Sequence, residues 1–241
     1  MRIKRYLPNA LTCLNLCCGT GALLCALDET SSLMPLALAF IVCAAFFDFA
    51  DGRVARKMGI SSPLGLELDS LADLVSFGVA PAVLIWKAQL ARFGVLGLLA
   101  VLVFVLAGAL RLARFNVLSQ AGTPAQKWFV GLPIPGGCLL ALTAGAGHHV
   151  RGLGGASPGV AAFTMLVAAA LMVSTIPFPS PKSLPLGNRK FALGLVAAAL
   201  AAVAFFQGKV LLLSVAYALS GVALAAGRIA AGPPIAIRGK G

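Results

Sequence analysis

The sequence predicts an all-α membrane protein, a polytopic bundle of about eight transmembrane helices. Of its 241 residues, 60% are hydrophobic and only 11% are charged, which is well below the roughly 25% of soluble domains. The mean hydropathy is +0.97, and the apolar residues are gathered in long runs. We therefore expect a single integral membrane domain over residues 1–241, embedded among membrane lipids, with no separate soluble domain.

Eight apolar segments are long enough, or nearly long enough, to cross a bilayer as helices. Their approximate bounds are 9–27, 33–56, 68–88, 93–116, 132–149, 158–177, 191–207 and 210–231. The last two are joined so tightly that they predict a helical hairpin. Asn9, Thr12 and Asn15 interrupt the first apolar run, so we do not expect a cleavable signal there.

Basic residues are distributed unevenly between the loops. If the N-terminus lies inside, 15 of the 19 Lys and Arg residues fall on the cytoplasmic side. Because positively charged loops tend to stay in the cytoplasm, this predicts an even number of spans in the inner membrane, with both termini cytoplasmic. The net charge of +12 is spread over these loops rather than gathered in one patch, which argues against a nucleic-acid partner.

Residues 48–73 hold five of the seven acidic residues of the chain. Asp48 and Asp51 are three residues apart, and Asp69 and Asp73 are four apart, so each pair shares one helical face. A charged side chain at membrane depth costs roughly 3 kcal/mol, which a bound divalent cation would offset. Oxygen ligands favour a hard ion such as Mg²⁺, whose shell is often completed by substrate phosphate. The stretch therefore predicts phosphate chemistry at the cytoplasmic end of two helices; the simpler alternative is four carboxylates that cap helices.

The same stretch carries a motif of fixed spacing, D-x2-D-G-x2-A-R-x8-G-x3-D-x3-D. Its members are Asp48, Asp51, Gly52, Ala55, Arg56, Gly65, Asp69 and Asp73. The motif resembles the signature of the CDP-alcohol phosphatidyltransferases, and the resemblance extends from residue 5 to about residue 140. It implies an enzyme that moves the phosphatidyl group of CDP-diacylglycerol to a hydroxyl group and releases CMP. It also implies a homodimer with a six-helix family core, to which the C-terminal hairpin is added; we place the catalytic core at about 5–207 and the last span at 210–231.

The resemblance gives the acidic residues of the motif their roles. By position, Asp48, Asp51, Asp69 and Asp73 would be the ligands of divalent metal, Mg²⁺ or Mn²⁺, as a pair of ions. Asp73 would also act as the general base that takes the proton of the acceptor hydroxyl. The active site would then face the cytoplasm, where nucleotide substrates are available.

A binding site for CDP-diacylglycerol is implied by the same resemblance. It would include a polar stripe on the first helix together with small and basic residues of the motif: Asn9, Thr12, Asn15, Gly52, Ala55, Arg56 and Gly65. Glycine lets a ligand approach the backbone closely. Alternatively, the stripe makes hydrogen bonds between helices, and Arg56 is one more positively charged anchor of the topology.

Three further stretches, 76–82, 111–116 and 131–137, resemble the phosphatidylserine synthase branch of the family, which implies L-serine as the acceptor. Serine carries a carboxylate, for which the planar arginine guanidinium is suited. Arg111, Arg114 and the nearby Asn116 are therefore the candidate serine ligands. The two arginines are alternatively anchors of the membrane topology.

Rival functions of three kinds remain open. The nearest is another enzyme of the same family that uses glycerol 3-phosphate or an inositol phosphate, although a phosphorylated acceptor would want a denser basic pocket. A cation-coupled transporter is the second, because carboxylates inside a membrane also mark ion pathways. Against it, the carboxylates gather at one membrane end and no inverted repeat is visible. A purely structural membrane protein would leave the acidic cluster unexplained.

Overall fold

The computed structural model describes residues 6–29, 32–59, 62–120, 128–145 and 157–179. The helices are α1 (Leu7–Ala26), α2 (Met34–Met58), α3 (Pro63–Asp73), α4 (Ala80–Ala88), α5 (Val95–Gln120), α6 (Ile134–Gly145) and α7 (Pro158–Val173). A π-helical turn, Leu74–Val79, joins α3 to α4, and a 3-10 turn, Leu90–Phe93, precedes α5. The predicted helical membrane fold is confirmed.

Among the described residues, four stretches of helix are long and apolar enough to cross a membrane: Leu7–Ala26, Met34–Met58, Pro63–Ala88 and Val95–Ser119. They correspond to the first four predicted spans. The helices α6 and α7 are apolar but shorter. The predicted hairpin formed by 191–207 and 210–231, like the chain termini, lies outside the described residues. The count of eight spans and the cytoplasmic position of both termini therefore stay predictions.

The end of α2 and the start of α3 are each set by one residue, and the two helices place their acidic residues side by side. The helix α2 ends at Gly59, which adopts the left-handed conformation with a φ of 62° and donates its N–H to the carbonyl of Ala55. Ser62 then caps α3, because its hydroxyl accepts a hydrogen bond of 3.0 Å from the backbone N–H of Gly65. The third span therefore begins at Pro63 rather than near residue 68, and Glu67, Asp69 and Asp73 all lie in helix α3.

Small residues line the contact that α1 makes with α2, α3 and the π-helical turn. Ala22 and Ala37 are fully buried there. A Cβ atom on Gly19 would lie 2.8 Å from the Cα of Ser76, so only glycine permits this approach of two backbones. Lipid tails are as apolar as leucine, so helices in a membrane associate through such close packing rather than through hydrophobic burial.

Lys87 joins α4 to the end of α1. Its ammonium group donates to the backbone carbonyl of Ala26 at 2.8 Å and also to that of Asp28. A cation is favourable at this point, since the last carbonyls of a helix carry partial negative charge. The bond lies at the opposite end of the helices from the acidic residues, so α1 is fixed to the third span at both of its ends.

Two short strands, β1 (Trp128–Val130) and β2 (Pro177–Pro179), pair antiparallel, with Phe129 opposite Phe178. They connect the segment after α5 to the segment after α7. The sequence did not predict this pair, because three residues are too few to show an alternating pattern and prolines normally exclude a strand from a sheet interior.

Candidate active site

Three carboxylates meet between α2 and α3. Asp48 and Asp51 lie in the second half of α2, and Asp69 lies in α3. Each offers one carboxylate oxygen, and these three oxygens lie within 4.8 Å of one another. Asp51 is buried, whereas the other two are half-buried. The structure thus brings together three of the four predicted metal ligands.

Asp73 lies beside this triad, one helical turn further along α3. It is 7% exposed, and its charge interacts with those of Asp48 and Asp69. The side-chain amide of Asn15 on α1 donates a hydrogen bond of 3.2 Å to Asp73 Oδ1. The predicted quartet is therefore a triad of mutually close oxygens with a fourth, more deeply buried carboxylate next to it.

Two arginines act on these four carboxylates. Arg111 of α5 is buried, and its charge interacts with those of Asp48, Asp69 and Asp73. The charge of Arg56 interacts with those of Asp48 and Asp51. If all four carboxylates are ionised, they carry two more charges than these two guanidinium groups neutralise, and burial makes that ionised state costly. Such an excess in a membrane-spanning bundle favours the binding of a divalent cation.

The oxygen atoms of the triad fit such an ion. Asp69 Oδ1 is buried and has no hydrogen-bond partner in the part of the chain that the structure describes, which is costly for a carboxylate oxygen unless a cation binds it. The triad contains neither His nor Cys, and an all-oxygen set is suited to Mg²⁺ or Mn²⁺. The residues present are therefore compatible with the metal that the motif predicts.

The predicted donor ligands fall into two groups. Gly52, Ala55 and Arg56 lie on the last turns of α2, and a Cβ atom on Gly52 would lie 3.2 Å from an Arg56 guanidinium nitrogen, so the arginine side chain folds over the glycine. A Cβ atom on Gly65 would lie 3.1 Å from the side-chain oxygen of Asn9. These residues lie at the end of α2 and the start of α3, where the nucleotide was predicted to bind.

Thr12 and Asn15, in contrast, point their donors at the carboxylates. The hydroxyl of Thr12 lies 2.6 Å from Asp51 Oδ2, and the amide of Asn15 contacts Asp73 as described above. Both side chains are buried. Their geometry matches the alternative stated for the polar stripe, namely hydrogen bonds between helices.

The predicted serine ligand Arg114 is engaged elsewhere. Its guanidinium donates to four backbone carbonyls, those of Val130, Met172, Val173 and Ser174, at 2.9 to 3.1 Å. These carbonyls belong to β1 and to the C-terminal end of α7. Arg114 therefore holds α7 and β1 against α5, and we do not carry it into the proposed serine site.

Asn116 belongs to a polar group that the sequence reasoning did not anticipate. Its amide nitrogen donates to Ser70 Oγ at 3.0 Å and to Glu67 Oε2 at 3.3 Å. Asn116 is buried, whereas Glu67 is exposed. The signal that was available is the position of Glu67, since it is the fifth acidic residue of the stretch 48–73 and the only one outside the motif.

Similarity to a known protein family explains why these carboxylates lie together. A family model described as CDP-alcohol phosphatidyltransferase matches residues 5–220, which is most of the chain. The chain belongs to this family. The resemblance seen in the motif is thereby confirmed, and the carboxylate triad is built from the acidic positions of that motif.

Several curated proteins of this family are similar to the chain. A CDP-diacylglycerol–serine O-phosphatidyltransferase of Mycobacterium leprae is 44% identical over 138 residues, 56% of this chain and 45% of that protein. One of Helicobacter pylori is 32% identical over 190 residues, 78% of each chain. An archaetidylserine synthase of Methanothermobacter thermautotrophicus is 39% identical over 175 residues, 72% of this chain and 69% of that protein. The match spans about half the length of the mycobacterial relatives.

Proposed function

We propose that this protein transfers the phosphatidyl group of CDP-diacylglycerol to the hydroxyl of L-serine, giving phosphatidylserine and CMP. The observation that carries the proposal is the meeting of Asp48, Asp51 and Asp69 oxygens within 4.8 Å, in a chain whose residues 5–220 match the transferase family. The choice of serine is supported by the names of the similar proteins, which share serine as the group that is attached.

The four carboxylates would hold the metal ions of the reaction. In this proposal Asp48, Asp51 and Asp69, with Asp73 beside them, bind two Mg²⁺ or Mn²⁺ ions. When bound, such ions neutralise the charge of the pyrophosphate and of the leaving CMP. The gathering of four carboxylates beside only two guanidinium groups of the described residues, those of Arg56 and Arg111, supports this assignment.

Asp73 is the proposed general base. The serine Oγ forms a bond to the phosphorus that carries the lipid, the bond from this phosphorus to the bridging oxygen breaks, and CMP leaves with that oxygen. The proton of the serine hydroxyl passes to the carboxylate of Asp73. Phosphoryl-type transfer needs mainly an aligned nucleophile and neutralised oxygens, so a positioned carboxylate is sufficient help from the protein.

Residues of different helices would bind the donor and the acceptor. We assign Gly52, Ala55, Arg56 and Gly65, with Asn9 beside Gly65, to the nucleotide of CDP-diacylglycerol. For serine we assign Arg111 to the carboxylate, because this guanidinium is buried among the catalytic carboxylates and already faces negative charge. Asn116, which lies on the same helix toward its cytoplasmic end, would complete the acceptor site through its amide.

The cellular setting follows from the same reasoning. We propose that the protein resides in the inner membrane with its active site toward the cytoplasm, where CDP-diacylglycerol and serine meet, and that it acts as a homodimer. The four candidate spans support a membrane location. Chemical crosslinking in native membranes would test the dimer, and a monomer in that experiment would contradict it.

The decisive experiment measures CMP release by the purified full chain. The assay contains CDP-diacylglycerol and Mn²⁺ or Mg²⁺, with serine, glycerol 3-phosphate or inositol 1-phosphate as acceptor. We expect CMP release with serine as the acceptor and no release with glycerol 3-phosphate or inositol 1-phosphate. Release with a phosphorylated acceptor would move the protein to another branch of the family, and cation uptake into vesicles without CMP release would favour the transporter.

A further inference from the structure

The first helix contacts two of the four carboxylates. On α1, Thr12 reaches Asp51 of α2, and Asn15 reaches Asp73 of α3. Both side chains lie behind the carboxylates and are nearly inaccessible, with exposed fractions of 3% and 0%. A side chain so buried acts on a substrate only through the group that it contacts.

The hydroxyl of Thr12 has two acceptors within reach but only one proton. Asp51 Oδ2 lies at 2.6 Å and the backbone carbonyl of Pro8 at 3.1 Å. A charged carboxylate is the stronger acceptor, and 2.6 Å is typical of a hydroxyl that donates to a carboxylate. The hydroxyl therefore donates to Asp51 and engages one oxygen of that carboxylate, Oδ2.

The stability of the fold does not explain why residue 15 is an asparagine. Its Nδ2 donates to Asp73 Oδ1, but its own Oδ1 is buried and has no hydrogen-bond partner among the described residues. An unpaired buried acceptor costs about 1–3 kcal/mol, which leucine, of similar size, would avoid. The opposite amide orientation would bring two acceptor oxygens together. The asparagine therefore differs from leucine in one useful respect: it donates a hydrogen bond to Asp73.

A second contact fixes the position of Asn15 relative to Asp73 along the axis of α1. Ser76, three residues beyond Asp73, donates its hydroxyl to the backbone carbonyl of Asn15 at 3.0 Å. The same serine packs against Gly19, one turn further along α1, where a Cβ atom would lie 2.8 Å from Ser76 Cα. Backbone and side chain of Asn15 are therefore both tied to the segment that carries Asp73.

We propose that α1 is a positioning helix, in which Thr12 orients Asp51 and Asn15 orients Asp73. The inference rests on the proposed transfer function and changes the predicted role of these two residues, which then do not bind the donor. Groups that orient a ligand or a base from behind alter metal affinity or turnover about ten- to a hundred-fold when removed. Loss of either contact therefore lowers kcat and leaves the KM for CDP-diacylglycerol little changed.

The test compares variants of the full chain. Thr12→Val and Asn15→Leu remove the donors, Thr12→Ser keeps the hydroxyl, and Thr20→Val is the control, because the exposed Thr20 donates only to the carbonyl of Leu16 in its own helix. We expect kcat to fall about ten-fold or more in the first two variants and to stay near wild type in the others. We also expect Asn15→Leu to unfold close to the wild-type temperature, because it removes both the unpaired Oδ1 of Asn15 and the hydrogen bond to Asp73, and these two effects oppose each other.

Three results would overturn the proposal. A raised KM for CDP-diacylglycerol at unchanged kcat would make these residues donor ligands. A fall of kcat in step with the unfolding temperature would make them packing residues. Wild-type kcat in both Thr12→Val and Asn15→Leu would give them no role in the site.

A readout independent of turnover separates this proposal from the proposed function. Mn²⁺ binding to the purified protein is measured by electron paramagnetic resonance of the free ion. We expect Thr12→Val to weaken the binding about ten-fold and Thr12→Ser to restore it. If the wild type releases no CMP with any acceptor, the transfer function fails, while this comparison still decides whether Thr12 orients Asp51. Equal Mn²⁺ affinity in Thr12→Val and the wild type, or no Mn²⁺ binding by the wild type, would overturn the role of Thr12.

Discussion

Arg111 and Arg114 are less than one helical turn apart on α5, yet their guanidinium groups contact different kinds of groups. Arg111 is buried among the carboxylates of the candidate site, and its guanidinium also lies 5.5 Å from the centre of the Phe115 ring. Arg114 reaches backbone carbonyls at the end of α7. From the sequence the two were equivalent, because three-residue spacing does not report which neighbour each side chain meets.

Substitution of these arginines should separate binding from stability. We expect Arg111→Ala to raise the KM for serine about ten-fold or more, since charge-assisted hydrogen bonds contribute about 1.5–3 kcal/mol. Arg114→Ala should instead lower the free energy of unfolding by about 1–3 kcal/mol with no selective effect on serine. Steady-state kinetics at varied serine and thermal unfolding check this, and weaker donor binding ahead of serine binding in Arg111→Ala would contradict it.

Asp73→Asn tests the proposed general base. The amide keeps the size of the side chain but cannot take a proton, so we expect kcat to fall about 10²- to 10⁴-fold. Binding of Mn²⁺ and of CDP-diacylglycerol should partly survive, because the triad is intact. Asp28→Asn is a matched control, since Asp28 lies beyond the far end of α1 and bonds Ser32 and the N–H of Leu33. Normal turnover in Asp73→Asn would remove it from this role.

At the scale of elements, some features follow from sequence patterns and others do not. The spacing of Asp69 and Asp73 implied that both lie on one face of a helix, and α3 carries both of them. The π-helical turn Leu74–Val79 has no such pattern; it lies directly before Pro81, whose missing N–H interrupts helical hydrogen bonding. The β1–β2 pair depends on contacts between residues some fifty positions apart, which local patterns do not encode.

Gly131 tests the packing of β1 against α7. Its φ is 80°, and a Cβ atom there would lie 2.5 Å from the carbonyl oxygen of Met172 and 2.9 Å from that of Ser174. Gly131→Ala should therefore destabilise the protein by about 1–3 kcal/mol or more. Gly159→Ala, in the first turn of α7 with open space around it, is the control and should be neutral or slightly stabilising. Thermal unfolding in detergent measures both, and equal midpoints would contradict the packing argument.

At the scale of the whole molecule, the chain is a membrane bundle in which five of the seven acidic residues lie in one stretch, 48–73. Hydropathy predicted the first four spans, and the motif predicted which acidic side chains come together. Which polar groups of α1 face them could not be predicted, because Asn9, Thr12 and Asn15 share a stripe and only the packing of α1 decides what each one meets. Glu67 was missed for the same reason, since its partner Asn116 comes from α5.

The four neighbouring carboxylates lead us to expect that divalent ions stabilise the bundle. We expect Mn²⁺ to raise the unfolding midpoint of the wild type, with a stabilisation of about 2.7 kcal/mol at a hundred times its Kd. The double variant Asp48→Asn, Asp69→Asn should lose this shift, and Asp28→Asn should keep it. A chelator should abolish CMP release by the wild type, and readdition of Mn²⁺ should restore it. Turnover indifferent to chelation would contradict the metal assignment.

The bond between Asn15 and Asp73 also bears on how the protein is made. A ribosome delivers α1 first, and its asparagine meets its partner only after 58 further positions have been synthesised. Until then α1 and α2 enter the lipid with polar groups unpaired, so we expect the insertion machinery to release the first three spans together. A nascent chain stopped at residue 60 should accordingly stay crosslinked to the translocon, whereas one stopped well beyond residue 92 should not.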